Sequence, residues 1–354
     1  MTATKRPDIT LEHPGDVIAS LPPLLGFHPV DSLVVLGMCG ARATELAIVL
    51  RTDLPPASRA RELAHTLLAP LVQQEVVGIT MVVVGGGTPT DDDLPHSELM
   101  IRCENVFVDN GIPVIHQLWT PDTASGRSWR CYDETDCGGV VADPAATELA
   151  AVIEEAGLTV FPRREDIVAT LTPESPDVLS RRSQSLQTSS TETEPTGTDP
   201  PSPGLSAVHA AIEAAVHVSP TLTDHDVTSL AGALADHRIR DICLDVDELP
   251  DAAAAERLWT ALAKATPPPE SAEAACLLAF SAYARGDGVL AGIALDRAEA
   301  ADPGHRLTGL LRSALSLGLP PEKIRTVGVK AATSAREALK PEEPPHAHPD
   351  PATD

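Results

Sequence analysis

The sequence predicts a mixed α/β fold: an N-terminal, partly parallel sheet with flanking helices, followed by an all-α part built around a helical hairpin. Three observations predict it. Between residues 9 and 171, short apolar runs of strand length alternate with stretches of helical spacing, as in an α/β layer. Residues 172–204 are dominated by Ser, Thr, Pro and Glu. From residue 205 onward the chain is Ala-rich and apolar at helical spacing.

The first element, HPGDVIASL from His13, reads as a helix start, with Pro14 in the first turn and Asp16 placed well against the helix dipole. Pro22-Pro23 is expected to stop it. Ser32–Gly37 (SLVVLG) and Glu45–Leu50 (ELAIVL), joined by MCGARAT, form a β-hairpin. Leu63, Ala64, Leu67, Leu68, Leu71 and Val72 make one helical stripe, and Gly78–Val84 (GITMVVV) is a buried strand. A helix is expected from about Leu94, capped by Asp91–Asp93. Its inward face is Leu99, Met100, Cys103, Val106 and Phe107, and Asn110-Gly111 ends it. Ile112–Trp119 is a further strand. Asp143-Pro144 then opens a helix with Asp143 as cap, Leu149, Val152 and Ile153 inward, and Gly157 closing it.

Residues 172–204 are expected to be a disordered linker, 205–335 an α-helical domain, and 336–354 a disordered tail. Within the helical domain, Ser271–His305 spans one helix–turn–helix period of about 34 residues, so it is similar to a single tetratricopeptide repeat; a generic αα-hairpin is the alternative. Leu278 and Ala279 lie on its first helix, Gly286-Asp287 form the turn, Ala291, Leu295 and Ala298 lie on the second, and Asp302-Pro303 stop it. One repeat cannot bury its own face, so it must pack on neighbouring helices around DAAAAERLWTALAKA and RLTGLLRSALSLGL.

The 354 residues carry 51 Asp and Glu against 26 Lys and Arg, a net charge of −25. Such a surface repels nucleic-acid phosphates and anionic lipid, and the densest basic spots are only Arg163-Arg164 and Arg181-Arg182. Neither nucleic acid nor membrane is therefore an expected partner. Five Lys beside 21 Arg, with abundant Ala and Pro, suggest a GC-rich coding sequence. The N-terminus has no apolar signal-peptide core, and LAIVL and MVVV are far too short to span a bilayer, so the cytoplasm is the expected location.

Chemistry-bearing residues are few. In LPPLLGFHPVDSLVVLG (Leu21–Gly37) every residue has a structural use, and His28 alone offers an acid, a base or a ligand donor. Arg51 and Asp53 in RTDLP follow the second strand, where they could pair with each other or bind an anion and a cation. Arg127 and Trp129 lie in the polar stretch TPDTASGRSWRC, where the indole either stacks on a ligand or folds back onto the core. These five are the ligand-binding candidates. The glycines of VVVGGGTPTDDD fit neither a P-loop nor GxGxxG and read as a flexible loop. Cys131 and Cys137 lack the spacing of a structural zinc site, and the carboxylates of DICLDVDELPD that of a calcium loop, so no metal site is expected. His116 reads as a satisfied core histidine. No motif names a cofactor or a catalytic set.

LPPLLGFHPVDSLVVLG, RTDLP (Arg51–Pro55), GRSW (Gly126–Trp129), DPAATELAAVIEEAG (Asp143–Gly157) and LLAFSAYARGDGVLAGIALDRAEAADPGH (Leu277–His305) together resemble an actinobacterial family catalogued as domain of unknown function 4192. The resemblance implies no activity. Its members often carry adjacent cysteines and a proline after the GRSW-like segment; here CYDETDCGG holds only Cys131 and Cys137, so any metal or disulfide role there is in doubt.

Two readings follow. One is a non-enzymatic partner- or ligand-binding protein whose helical domain meets a protein partner. The other is an enzyme or small-molecule sensor in which His28, Arg51, Asp53, Arg127 and Trp129 converge at the edge of the N-terminal sheet.

Overall fold

The computed structural model describes residues 13–40, 45–90, 93–134, 136–155, 158–192, 203–218 and 220–339. Expectations that rest on residues 9–12, Asp91, Asp92, Gly157, linker residues 193–202 and tail residues 340–354 lie outside the described residues. The chain divides into two compact units. One runs to Thr170 and takes in Asp287–Ile293 and Leu310–Pro320; the other holds Leu171–Gly286, Ala294–Gly309 and the chain from Pro321.

The first unit is the expected mixed α/β layer. Its elements are α1 (Pro14–Leu25), β1 (Ser32–Cys39), β2 (Glu45–Asp53), α2 (Ala60–Gln73), β3 (Gly78–Val84), α3 (Ser97–Asp109), β4 (Val114–Thr120), β5 (Ser128–Cys131), β6 (Gly138–Val140), α4 (Glu148–Glu155) and α5 (Arg164–Thr170). The sheet runs β2-β1-β3-β4-β5-β6. Only β3 and β4 are parallel; every other neighbouring pair is antiparallel. β1 and β2 form the expected hairpin. β3 is buried at every position and β1 at all but its last, which requires cover on both faces. Leu33, Val35, Ile79, Met81 and Val83 meet α2 and α3 through Ala64, Leu67, Leu71, Leu99, Met100, Cys103 and Phe107. Val34, Leu36, Val82 and Val84 face the other way and are equally buried.

Several expectations for this unit change. α1 continues through Pro22 and Pro23, although each lacks the N–H a helical turn would use: Leu21, Pro22, Pro23 and Leu25 are buried in the core, and the chain turns only at left-handed Gly26, whose N–H bonds to Pro22 O. Val72 does not join the α2 stripe; it is 62% exposed, and Pro70 is buried instead. α3 begins at Ser97, after a left-handed His96 that makes no side-chain cap, while Asp93 accepts a hydrogen bond from Ser97 Oγ. The polar stretch through GRSW is not all loop, because β5 and β6 add a short hairpin to the edge of β4. Ahead of α4, Asp143 accepts from Ala145 N at 3.0 Å as expected, but the turn it caps is a short 3-10 segment, Pro144–Ala146.

The second unit is helical: α6 (Pro176–Glu192), α7 (Pro203–Ala214), α8 (Asp224–Ala235), α9 (His237–Ile242), α10 (Ala252–Ala265), α11 (Ser271–Ala284), and α14 (Pro321–Ala338) after α12 (Gly288–Ala301) and α13 (Arg306–Ser316), whose residues are shared between the units. The part of the expected linker from Pro176 to Glu192 is therefore helix. Its composition is polar, yet Arg182 and Leu186 are buried on one side of α6. Arg182 donates from Nε to Asp224 at 2.8 Å and from Nη1 to Ala265 O at 2.7 Å, and pairs with Glu174 at 3.0 Å. A charge network thus supplies the order that composition alone does not.

The turn at Gly286-Asp287 forms as expected, with Gly286 in a positive-φ conformation and Asp287 Oδ1 accepting from Leu290 N at 2.8 Å. α11 packs chiefly on α10, with α8 and α14 around it, and is buried at 13 of its 14 positions. Gly328 lets α14 approach: a methyl group there would lie 2.4 Å from Leu244 O and 2.5 Å from Phe280 Cζ. Three carboxylates of DICLDVDELPD have partners within the unit: Asp241 pairs with Arg240, Asp245 with the distant Arg336, and Asp251 caps the N-terminus of α10.

Gly328→Ala should lower stability by about 2 kcal/mol, since a backbone carbonyl cannot yield to the methyl group. Gly309→Ala, with open space around its site in α13, should instead raise it by ~0.5 kcal/mol. Denaturant melts of both variants check the contrast, and equal effects would contradict the close approach. A second expectation concerns acid. Hydrogen bonds from Arg181 and then Arg182 pull the Asp224 carboxyl down to about 2. Its contribution is complete above the ordinary carboxylate range and is lost as pH falls through about 2. Asp224→Asn should therefore destabilise the protein at neutral pH and narrow its gap to wild type between pH ~4 and 2. Denaturation curves across that range measure it.

Candidate functional site

The residues around His28 are placed by backbone pairing between distant segments. Phe27 and Phe161 form an isolated parallel bridge: Phe161 N–H donates to Gly26 O at 2.8 Å, and His28 N–H to Phe161 O at 3.2 Å. Phe27 is 2% exposed, so its ring anchors the turn in the core; burying a ring of this size contributes roughly 2–3 kcal/mol. Through this bridge the start of α5 comes beside the entry to β1. The result is a cleft of about 560 Å³ lined by Phe27, His28, Val30, Asp31, Arg51, Asp53, Leu54 and Arg163–Glu165.

The cleft lies at the end of the sheet where β3 and β4, the parallel pair, both finish. Ser32 pairs with Asp53 and with Val84, and Val84 with Thr120, so these four ends are in line. Loops at the carboxyl ends of parallel strands are where open α/β sheets keep ligands. Asp31, at φ 43°, stitches this end together. Its carbonyl accepts from Leu54 N at 3.0 Å and its carboxylate from Gly86 N at 2.8 Å. A Cβ on Gly85 would lie 2.7 Å from Asp31 Oδ1. Of the glycines after β3, Gly85 and Gly86 therefore serve the contact with Asp31, the first by leaving space for its carboxylate and the second through its N–H.

Arg51 is held on several sides. Its Nε donates to Ser32 Oγ at 2.9 Å, and Ser32 is fully buried and itself donates to Val30 O. The guanidinium stands 5.8 Å over the Phe27 ring and lies 2.7 Å from Asp53 Oδ1. The Arg51 side chain is 18% exposed, that of Asp53 86%. His28 Nδ1 shares a hydrogen bond with Thr123 Oγ1 at 3.0 Å, and Thr123 is fully buried. Burial holds the imidazole below its ordinary pKa, with Asp122 pulling the other way. His28 is thus neutral at physiological pH, with one ring nitrogen fixed.

Of the five candidates, the fold brings His28, Arg51 and Asp53 to one cleft. Arg127 does not line it; it is an exposed partner of Asp122 at 2.8 Å, one ion pair removed from His28. Trp129 does not line it either. The indole is 9% exposed, its Nε1–H reaches Val140 O at 3.3 Å, and it packs against Gly15 and Gly139, so the ring has folded back onto the core. Arg163, Arg164 and Glu165 were not among the candidates, although Arg163-Arg164 stands out in the sequence as one of its two densest basic spots. Only the bridge to Phe27 gives that pair its place.

Cys131 and Cys137 are joined to each other as a disulfide beside the β5–β6 hairpin. His116 is half-buried on β4 rather than in the core. Among the described residues, no group of three or more His, Cys, Asp and Glu side chains is placed to hold a metal ion, and no helix is long and apolar enough to cross a membrane.

The model of a family described as "Domain of unknown function (DUF4192)" matches residues 14–322. No curated protein and no solved structure matches the chain.

The environment of His28 predicts its titration. Its ring resonances should titrate below 6.5, and in Asp122→Asn, which removes the opposing charge, they should move lower still. NMR of the labelled imidazoles measures both; a midpoint above 6.5, or an upward move in the variant, would contradict the placement.

Proposed function

The chain belongs to the DUF4192 family, and we propose that it is a ligand-binding protein whose N-terminal unit holds a small molecule in the cleft at the end of its sheet. One observation carries the reading: three residues singled out for their chemistry, His28, Arg51 and Asp53, converge with Arg163-Arg164 on a single concavity. Its volume, about 560 Å³, falls in the roughly 300–1,000 Å³ range of small-molecule sites. The walls combine the apolar faces of Phe27, Val30 and Leu54 with a few oriented polar groups, the usual division between affinity and specificity. Pre-orientation of Arg51 by Ser32 and Phe27 lowers the ordering cost of binding.

The helical unit is the place this reading leaves for a protein partner, on helices other than α11, which is almost wholly core. A catalytic version of the same site is favoured by His28, because a neutral imidazole in a cleft wall has the chemistry of a general base.

The test is a thermal-shift screen of the full chain against small metabolites, repeated on Arg51→Gln and His28→Gln. A compound that raises the melting temperature of wild type and loses its effect in either variant supports the cleft. Recovery of that compound unchanged after prolonged incubation supports binding, and its conversion supports catalysis. Stabilising compounds that act equally on all three proteins would sink the assignment.

A further inference from the structure

We infer that the ligand of this cleft enters through an oxyanion, a phosphate or carboxylate group, and that Asp53 is the group it displaces from Arg51. The inference rests on the cleft reading above and adds the ligand's chemical class.

The first observation is the asymmetry of the Arg51 environment. Two of its partners are permanent: Ser32 Oγ, on a fully buried residue, and the ring of Phe27, 2% exposed. The third, Asp53, is 86% exposed on its side chain and lies at the last residue of β2. An ion pair whose carboxylate is bathed in water is weakly held, because solvent screens it and the side chain loses freedom to keep it. The guanidinium is therefore fixed by groups that cannot leave and faced by one that can. A planar fork fixed in this way is suited to a phosphate or a carboxylate.

The second observation is charge. The whole chain has 51 acidic residues against 26 basic ones. The cleft offsets that bias, since Arg51, Arg163 and Arg164 line it together with Asp31, Asp53 and Glu165. Asp31 is committed to Gly86 N–H. Exchange of Asp53 for a ligand oxyanion keeps Arg51 paired, so binding strands no cation.

The third observation is His28. Held neutral by burial, it adds no competing charge and can exchange a hydrogen bond with the same ligand.

The test is calorimetric titration of the full chain with inorganic phosphate, pyrophosphate and succinate at matched ionic strength. At least one should bind, and which one does separates a phosphate from a carboxylate ligand. Asp53→Asn should bind it about three- to tenfold more tightly, since the internal competitor loses its charge. Arg51→Gln should weaken it by about tenfold or more. Should Arg51→Gln fail to fold, as judged by circular dichroism, the double variant Arg163→Gln/Arg164→Gln should weaken binding instead. The inference is overturned if none of the three probes binds to wild type or to Asp53→Asn, or if Asp53→Asn binds no more tightly than wild type. A neutral or cationic compound whose effect depends on His28 but not on Arg51 would overturn the oxyanion while leaving the cleft standing. Loss of both would appear as ligands indifferent to His28 and Arg51 alike.

Discussion

Burial of β1 and β3 on both faces is the constraint on which the first unit depends. Val34, Val35, Val82 and Val83 occupy adjacent strands and alternate faces, and all four are at 0% exposure. Such strands offer water nothing but their ends. Both faces must be covered, and a polar side chain buried on these strands needs a hydrogen-bond partner within reach. Ser32 shows the consequence: it is fully buried at the strand's first residue, so its hydroxyl must be satisfied locally, and Val30 O and Arg51 Nε satisfy it. The orientation of Arg51 is thus a by-product of satisfying a buried hydroxyl, at a site where an unmet one would cost about 1–3 kcal/mol.

The same economy explains why the cleft lies where it does. The entry to β1, the exit of β2 and the exits of β3 and β4 share one end of the sheet. Asp31 ties three of these segments through one carbonyl and one carboxylate, and Gly85 leaves space for that carboxylate. The Phe27–Phe161 bridge then carries α5 across to form the other wall. A concave rim with fixed polar groups results without any segment being devoted to it alone.

The helical unit is stabilised by a different kind of contact. With few aromatics available, its helices meet through small residues, and Ala254, Ala255, Ala275 and Ala279 are all buried. Gly328 extends this to the backbone of the segment before α10. Where small residues end, charge takes over: Arg182 reaches from a polar helix to Asp224, Glu174 and Ala265 O. Arg257 likewise donates to Ala215 O and Val216 O beyond the end of α7. Arginine suits this work because one planar group answers several acceptors at once.

The elements of strong period were legible in the sequence. The hairpin of β1 and β2, the strand β3, the inward face of α3 and the turn at Gly286 follow from side-chain spacing and turn chemistry, which act over a few residues. Within the cleft, His28, Arg51 and Asp53 were legible because each is a chemically active residue beside a strand end. What escaped was decided at long range. Residues 176–192 read as linker because composition does not register one buried arginine and its distant partners. β5 and β6 escaped because short edge strands take their order from β4. Arg127, just ahead of β5, and Trp129, on β5, do not reach the cleft: the indole packs against Gly15 and Gly139 instead. Local sequence determined which segments are helix or strand and which faces are apolar. Only the tertiary structure decided which rims meet, because pairings such as Phe27 with Phe161 leave no periodic trace in the chain.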